Sequence, residues 1–322
     1  MGLPIRPRRN RKSAAVRGLV RETRLHREQL IYPVFMHDDK GDTPLQSLPG
    51  VKRWGLKGLI AEAVRAHKLG IKAIVLFPKV PDASKTASAE EACNPDGLVP
   101  RAIKALKDKL PDLCVITDVA LDPYNSDGHD GLVRDGKVVN DATVEVLCVQ
   151  ALMHAQAGAD IVAPSDMMDG RVAAIRGALD DQGFSDTGIM AYTAKYASAF
   201  YGPFRGALDS APKAGDKKTY QMDPANIREA IREAQLDEAE GADVLMVKPA
   251  GPYLDVISAV RANTTLPVAA YQVSGEYLML KAAAQSGWLD EKACVLESVT
   301  GIVRAGADMV LTYHAPQIAE WL

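Results

Sequence analysis

Cysteine is scarce in this chain: four residues in 322, Cys93, Cys114, Cys148 and Cys294, scattered and without a CxxC pair. That spacing excludes a zinc knuckle and offers no disulfide framework, so a reducing, cytoplasmic location is the expectation. Long apolar runs are lacking too. None approaches the roughly eighteen residues that a membrane helix needs. The arginine-rich N-terminus has no apolar stretch behind it, so neither a membrane span nor a secretory signal is expected. Nor does one sign of charge dominate: 38 basic residues face 41 acidic ones, for a net charge of −3 and a pI near 6.1. No global field then draws the chain to nucleic acid or a membrane. A GxGxxG turn after the first strand is also missing, which counts against an open dinucleotide-binding sheet.

What is present is an ordinary globular composition, 47% hydrophobic and 25% charged, able to bury a large core. Short β-rich runs recur at Ile31–Met36, Ala73–Pro78, Cys114–Val119, Asp160–Pro164, Gly188–Thr193, Asp243–Lys248, Pro267–Val273 and Met309–His314. Each is apolar nearly throughout, as parallel strands covered on both faces are. Helical patterns separate them. Val144, Leu147, Cys148, Ala151, Leu152 and Ala155 repeat at three and four residues, with Asp141 as the expected N-cap. Asp223 and Pro224 predict another helix start, with Ile227 and Ile231 on one face. Several helices end alike, at Gly158-Ala159-Asp160, Gly241-Ala242-Asp243 and Gly306-Ala307-Asp308, where glycine supplies a left-handed turn. Eight such units predict a TIM (β/α)8 barrel over residues 31–322. Residues 1–30, with Arg6, Arg8, Arg9, Arg11 and Lys12, precede it as a basic arm. The arm reads as a solvated tail, a nucleic-acid arm, or a strap around a neighbouring subunit. No second basic patch with interleaved aromatics supports the nucleic-acid reading.

Barrel chemistry lies at the C-terminal ends of the strands. Those ends carry Asp118, Ser165 with Asp166, Lys195, Lys248, Ser274 and Tyr313. Any one of them is unremarkable, but two lysines are not. Lys248 closes the apolar run Val244–Val247, where poor solvation lowers an ammonium's pKa. Lys195 follows the preceding strand, and a second cation nearby pushes one amine further toward the neutral nucleophile, the form that makes an imine with a ketone. The connection from Tyr196 to Gln221 is long and rich in aromatics and base, as a working lid is. In it, Arg205 and Lys217 are candidates for a substrate carboxylate, and Tyr201, Phe204 and Gln221 are further lining candidates, with Ser165 and Tyr271 at the strand ends.

Five stretches carry a resemblance that spans essentially the whole chain: SDMMDGR from Ser165, KYASAFYGPFR from Lys195, MVKPAG from Met246, YQVSGEY from Tyr271, and Leu311-Thr312-Tyr313. They resemble the porphobilinogen synthase (5-aminolevulinate dehydratase) family. That resemblance implies a TIM barrel with an N-terminal arm and condensation of two 5-aminolevulinate molecules to porphobilinogen, a step of tetrapyrrole biosynthesis. It implies Schiff bases at Lys248, for the substrate becoming the propionate side, and at Lys195, for the acetate side. It also implies carboxylate contacts at Arg205 and Lys217 for one substrate and at Ser274 and Tyr313 for the other, with Asp118 as proton shuttle. Homo-oligomers, octamers or hexamers built through the arms, are implied as well.

The departure from the pattern is at the metal loop. Zinc-dependent members carry three cysteines there; this chain has an alanine and two aspartates within Asp118–Gly131. Asp122 and Asp130 offer oxygen ligands, which suit Mg²⁺ or K⁺ rather than Zn²⁺, or hydrogen bonding in place of a metal. Glu233 matches an allosteric magnesium position of the family; by itself it reads as an exposed helix charge. No zinc and no organic cofactor are expected. His314 stands where many members have phenylalanine. The rival readings are a class I aldolase, which needs one essential lysine, and a non-catalytic barrel that binds a partner through its arm.

Overall fold

The computed structural model describes residues 3–208 and 212–322, the side chains of Arg205 and Leu208 excepted. Eight parallel strands close into a barrel: β1 (Leu30–His37), β4 (Ala73–Lys79), β5 (Cys114–Val119), β8 (Ile161–Pro164), β9 (Gly188–Lys195), β10 (Val244–Lys248), β11 (Val268–Gln272) and β12 (Met309–Thr312). Pairing of β12 with β1 completes the ring. All eight expected strands are present, most with ends shifted by a residue or two; Lys195 lies inside β9 rather than after it, and β12 stops at Thr312, short of Tyr313 and His314. Two side hairpins, β2 (Thr43–Pro44) with β3 (Lys52–Trp54) and β6 (Val133–Arg134) with β7 (Lys137–Val138), decorate the barrel.

The outer helices are α2 (Leu56–Lys68), α3 (Leu98–Lys109), α4 (Asn140–Ala157), α5 (Arg171–Asp181), α7 (Arg228–Ala239), α8 (Leu254–Ala262), α9 (Ser274–Gln285), α10 (Glu291–Ala305) and α11 (Ala315–Trp321). The short α6 (Gly202–Leu208) sits over the barrel mouth, and α1 (Ala14–Leu19) belongs to the arm. Gly158, Gly241 and Gly306 take φ of 103°, 99° and 125°, as their helix-ending role requires. The aspartate two residues on then folds back. Asp160, Asp243 and Asp308 accept the backbone N–H of Val115, Ile189 and Val268 at 2.7, 2.7 and 2.8 Å, tying each new strand to the foot of its neighbour.

Two helix starts differ from expectation. Asp141 lies inside the first turn of α4, whose N-cap is Val139, so it complements the helix dipole without capping. Asp223 accepts the N–H of Ala225 in a turn before α7, and the N-cap of α7 is Ile227. The buried face of α7 is Ala230, Ala234 and Asp237, while Ile227 is 37% exposed. Small alanines let α7 approach the barrel closely enough for Asp237 to meet a buried arginine.

Strand side chains alternate between two cores. Phe35, Phe77, Ile116, Met190, Tyr192, Met246 and Tyr271 fill the barrel. Val34, Leu76, Val115, Ile189, Ala191, Leu245 and Val247 face the helices. Continuing the inner rows toward the C-terminal ends brings Asp118, Ser165 and Lys248 to the mouth.

Candidate active site

Lys195 and Lys248 are direct Cα partners across β9 and β10, and both are buried. Aromatic faces surround the Lys248 ammonium: Tyr271 at 4.6 Å, Tyr192 at 5.0 Å, Phe204 at 5.1 Å and Tyr201 at 5.3 Å. Burial, reinforced by the neighbouring Lys195 charge, lowers the Lys248 pKa to about 7 against the pull of Asp118 and Asp130. Lys195 has different surroundings. Its Nζ donates to Asp130 at 3.1 Å and to the Ser165 carbonyl.

Asp130 is the charge hub of the site. Its other oxygen accepts from Lys217 at 2.6 Å, and the Gln221 amide adds a third donor at 3.3 Å. Burial alone would raise its pKa, but the two ammonium groups and their hydrogen bonds prevail and hold the carboxyl well below the usual range. Asp118 is the opposite case. Burial and the nearby Asp122 raise it to about 7, opposed by Lys195 and Lys248, and its Oδ1 has no hydrogen-bond partner among the described residues. Two carboxyls of one connection, Asp118 and Asp130, thus differ widely in proton affinity, the separation that acid–base assignments require.

This arrangement does not fit a metal at Asp122 and Asp130. Both Asp130 oxygens already receive donors, and the Lys217 ammonium lies 2.6 Å from Asp130 and 3.8 Å from Asp122, where a cation would sit. Of the two expected alternatives, hydrogen bonding in place of a metal agrees with the donor set. Lys217, expected to face a substrate carboxylate, is turned to these aspartates.

Glu233 lies apart from the lysines. It is half-buried rather than exposed and lines a cavity of about 290 Å³ with Asn140, Asp169, Thr219 and Glu229. Burial raises its pKa; Arg171 opposes that rise, and Asp237, Asp169 and Glu229 add to it. Oxygen donors in excess of positive charge suit a hard cation, although no group of three or more His, Cys, Asp or Glu converges on a metal position among the described residues. A cation there would keep much of its water.

The lid is clasped from several sides. Ser274, 0% exposed, accepts the Phe204 N–H at 3.0 Å, so its hydroxyl holds the lid. Ser47 donates to the Pro203 carbonyl at 3.0 Å, Arg53 to that of Ala207 at 3.1 Å, and Tyr201 to that of Lys248 at 3.1 Å. Gly275 is required by this contact, since a Cβ would come within 2.6 Å of the Phe200 carbonyl oxygen. Phe204 packs on Phe35 and Phe77, with ring centroids 5.5 and 5.3 Å apart. The enclosed space beside the lysines is about 30 Å³, room for a water molecule or two. Tyr313 shares a 2.9 Å hydrogen bond with Tyr271. The Arg205 side chain lies outside the described residues.

Sequence reasoning missed Tyr192, Ser47, Arg53 and Glu276. Tyr192 was legible, since it shares the inner row of Met190. Glu276 was not, because its role is a contact across loops: it accepts the N–H groups of Val273, Ala250 and Gly251 at 2.8, 3.3 and 2.6 Å. His314 now has an account. Its ring lies 4.4 Å from that of Tyr277, its Nδ1 meets Gln317 at 3.0 Å, and burial lowers its pKa to about 4, so a neutral ring fills an aromatic's place.

The family model described as delta-aminolevulinic acid dehydratase matches residues 4–321. The chloroplastic delta-aminolevulinic acid dehydratase of Physcomitrium patens is 62% identical over 322 residues, covering 99% of this chain and 74% of the relative. The chloroplastic enzyme 1 of Arabidopsis thaliana is 57% identical, covering 100% and 75%. The crystal structure of the Toxoplasma gondii ME49 enzyme, in complex with the reaction product porphobilinogen, superimposes with a TM-score of 0.98 at 58% identity, covering 100% of this chain and 93% of that one. That these relatives are chloroplastic overturns the cytoplasmic expectation. Scarce cysteine and balanced charge constrain redox chemistry and solubility, whereas an address is read by receptors from a targeting signal. No helix among the described residues is long and apolar enough to cross a membrane.

Proposed function

As the chain belongs to the delta-aminolevulinic acid dehydratase family, we infer that it condenses two molecules of 5-aminolevulinate to porphobilinogen with loss of two waters, and we propose that Lys248 and Lys195 hold both substrates as imines. The observation that carries the reading is the lysine pair in one register, with one amine poised near neutrality. Lys248 supplies the free amine that attacks the first ketone. Lys195 forms the second imine after passing its proton to Asp130, which can accept it once a substrate carboxylate draws Lys217 away from that hub. Two tethered substrates react as one molecule, which removes most of the entropic cost of bringing them together. The two waters leave as the imines form; the carbon–carbon and carbon–nitrogen bonds then close the ring as both lysine amines are released, and a ring proton leaves. Asp118, with a pKa of about 7, is suited to move protons beside the lysines.

The lid opens to admit substrates, because the closed space is too small for them. Phe204 and Tyr201 then seal the imines from water. Arg205 and Lys217 hold one carboxylate, and Ser274 and Tyr313 the other. Glu233 is the proposed Mg²⁺ position, separate from the chemistry. The arm is the proposed assembly element. Leu3, Ile5, Leu19 and Val20 are 65%, 81%, 83% and 49% exposed, an apolar set that a second copy of the chain would cover.

Mixing the protein with 5-aminolevulinate and testing for a pyrrole with Ehrlich's reagent decides the reading. A pyrrole is expected; its absence across pH and Mg²⁺ conditions sinks the activity.

A further inference from the structure

Behind β9, on the helix side, lies a buried polar cluster that no step above uses. Its members are Arg171 of α5, Asp237 of α7 and Thr193 of β9, each 2% exposed or less. Arg171 donates to both Asp237 oxygens at 2.8 and 3.1 Å, and to the Tyr192 carbonyl at 3.3 Å. The Thr193 hydroxyl lies 2.9 Å from Asp237 and 3.4 Å from the Ala191 carbonyl. A fully buried ion pair is a poor source of stability compared with apolar packing, so its use is better sought in the geometry it specifies.

That geometry is the register of β9. Counting by twos from Met190 and Tyr192, Lys195 falls on the helix side of the strand. It enters the barrel because β9 carries one extra residue: Ala191 pairs with Leu245, yet the next matched pair is Ala194 with Val247. Thr193 and Ala194 both face outward, and Lys195 turns inward opposite Lys248. Such a bulge leaves a backbone unit out of the ladder and re-aims the next side chain. The buried cluster grips the bulge at Thr193 and at the carbonyl just before it. It also reaches toward the other side of Lys195. Arg171 Nε lies 3.8 Å from Asp166, the residue after Ser165, whose carbonyl receives the Lys195 ammonium.

We propose that Thr193, backed by the Arg171–Asp237 pair, sets the β9 bulge and so turns Lys195 into the barrel, making these three positioning residues for the condensation. The functional part rests on the reading of Lys195 as an imine-forming lysine.

Thr193→Val keeps the β-branched shape and the ion pair but removes the hydroxyl; Thr193→Ser restores it. In the valine variant kcat should fall by at least about tenfold. Borohydride trapping with 5-aminolevulinate should lose Lys195 adducts while retaining those on Lys248. The serine variant should recover both. A loss of packing alone would lower Tm without changing which lysine is trapped. A crystal structure of the valine variant should show Lys195 out of register with Lys248. An unchanged register, or wild-type trapping at both lysines, overturns the proposal. If the wild-type protein traps nothing at Lys195, the imine reading fails, and the register seen in the valine variant still decides the bulge.

Discussion

Lys195 and Lys248 stand side by side across two parallel strands, Cα partner to Cα partner, yet their charges are treated differently. Lys195 is held by Asp130 at 3.1 Å, while Lys248 is ringed by aromatic faces and shifted to about 7. The pair therefore divides the work between one free amine and one held in reserve. Replacing Lys248 with alanine should remove turnover almost completely. Lys195→Ala should also stop product formation but leave Lys248 able to trap substrate with borohydride, read as a mass shift on its peptide. Trapping that survives in Lys248→Ala and vanishes in Lys195→Ala would reverse the assignment.

The pH profile should follow the same group. Lys248 attacks only as the neutral amine, and its pKa is lowered to about 7, so protonation on acidification removes the nucleophile. Below that value kcat/KM should fall about tenfold per pH unit, and above it the profile should level off. An acidic-limb inflection above about 9, near the ordinary lysine range, would show that the amine is not depressed.

Metal dependence should be confined to Glu233. The Lys217 ammonium fills the place between Asp122 and Asp130, so chelation should leave turnover measurable and Zn²⁺ should add nothing. Mg²⁺ should stimulate by stabilising the assembly that binds it better, and Glu233→Ala should flatten that response. Stoichiometric zinc, with activity restored by zinc alone after its removal, contradicts this assignment.

The Asp130 hub should matter for folding as well as chemistry. Asp130→Ala leaves two buried ammonium groups without their shared partner, a loss on the order of 3–5 kcal/mol in stability. Its sign with pH follows from the lowered carboxyl pKa: the contribution is present above the unfolded value near 4 and is lost as pH falls below it. Wild type and variant should therefore differ in denaturation midpoint at pH 7 and converge in strong acid. Equal midpoints at pH 7 would refute the hub.

Deleting residues 1–24, which spares Leu25 and Leu30 packed on the barrel, should reduce the assembled mass in sedimentation and lower activity with it, since Leu3, Ile5, Leu19 and Val20 of the arm are left exposed by their own barrel. Unchanged mass and activity would leave the arm a solvated tail.

The sequence alone determined the eight apolar runs, the glycines that end helices, and the strand ends that carry Asp118, Ser165, Lys195 and Lys248. Each of these is a local property, written in the solvation preference and backbone freedom of neighbouring residues. It could not determine which way Lys195 faces. Strict alternation from Tyr192 points it at the helices, and only the hydrogen-bond register against β10 shows the extra residue that turns it inward. Nor could it show that Asp130 binds ammonium groups 65 and 87 residues away rather than a metal, or that Asp237 of α7 meets Arg171 across 66 residues. Register and buried charge pairing are relations between distant segments. Their energies come from desolvation and geometry set when the barrel closes, and no local pattern encodes them.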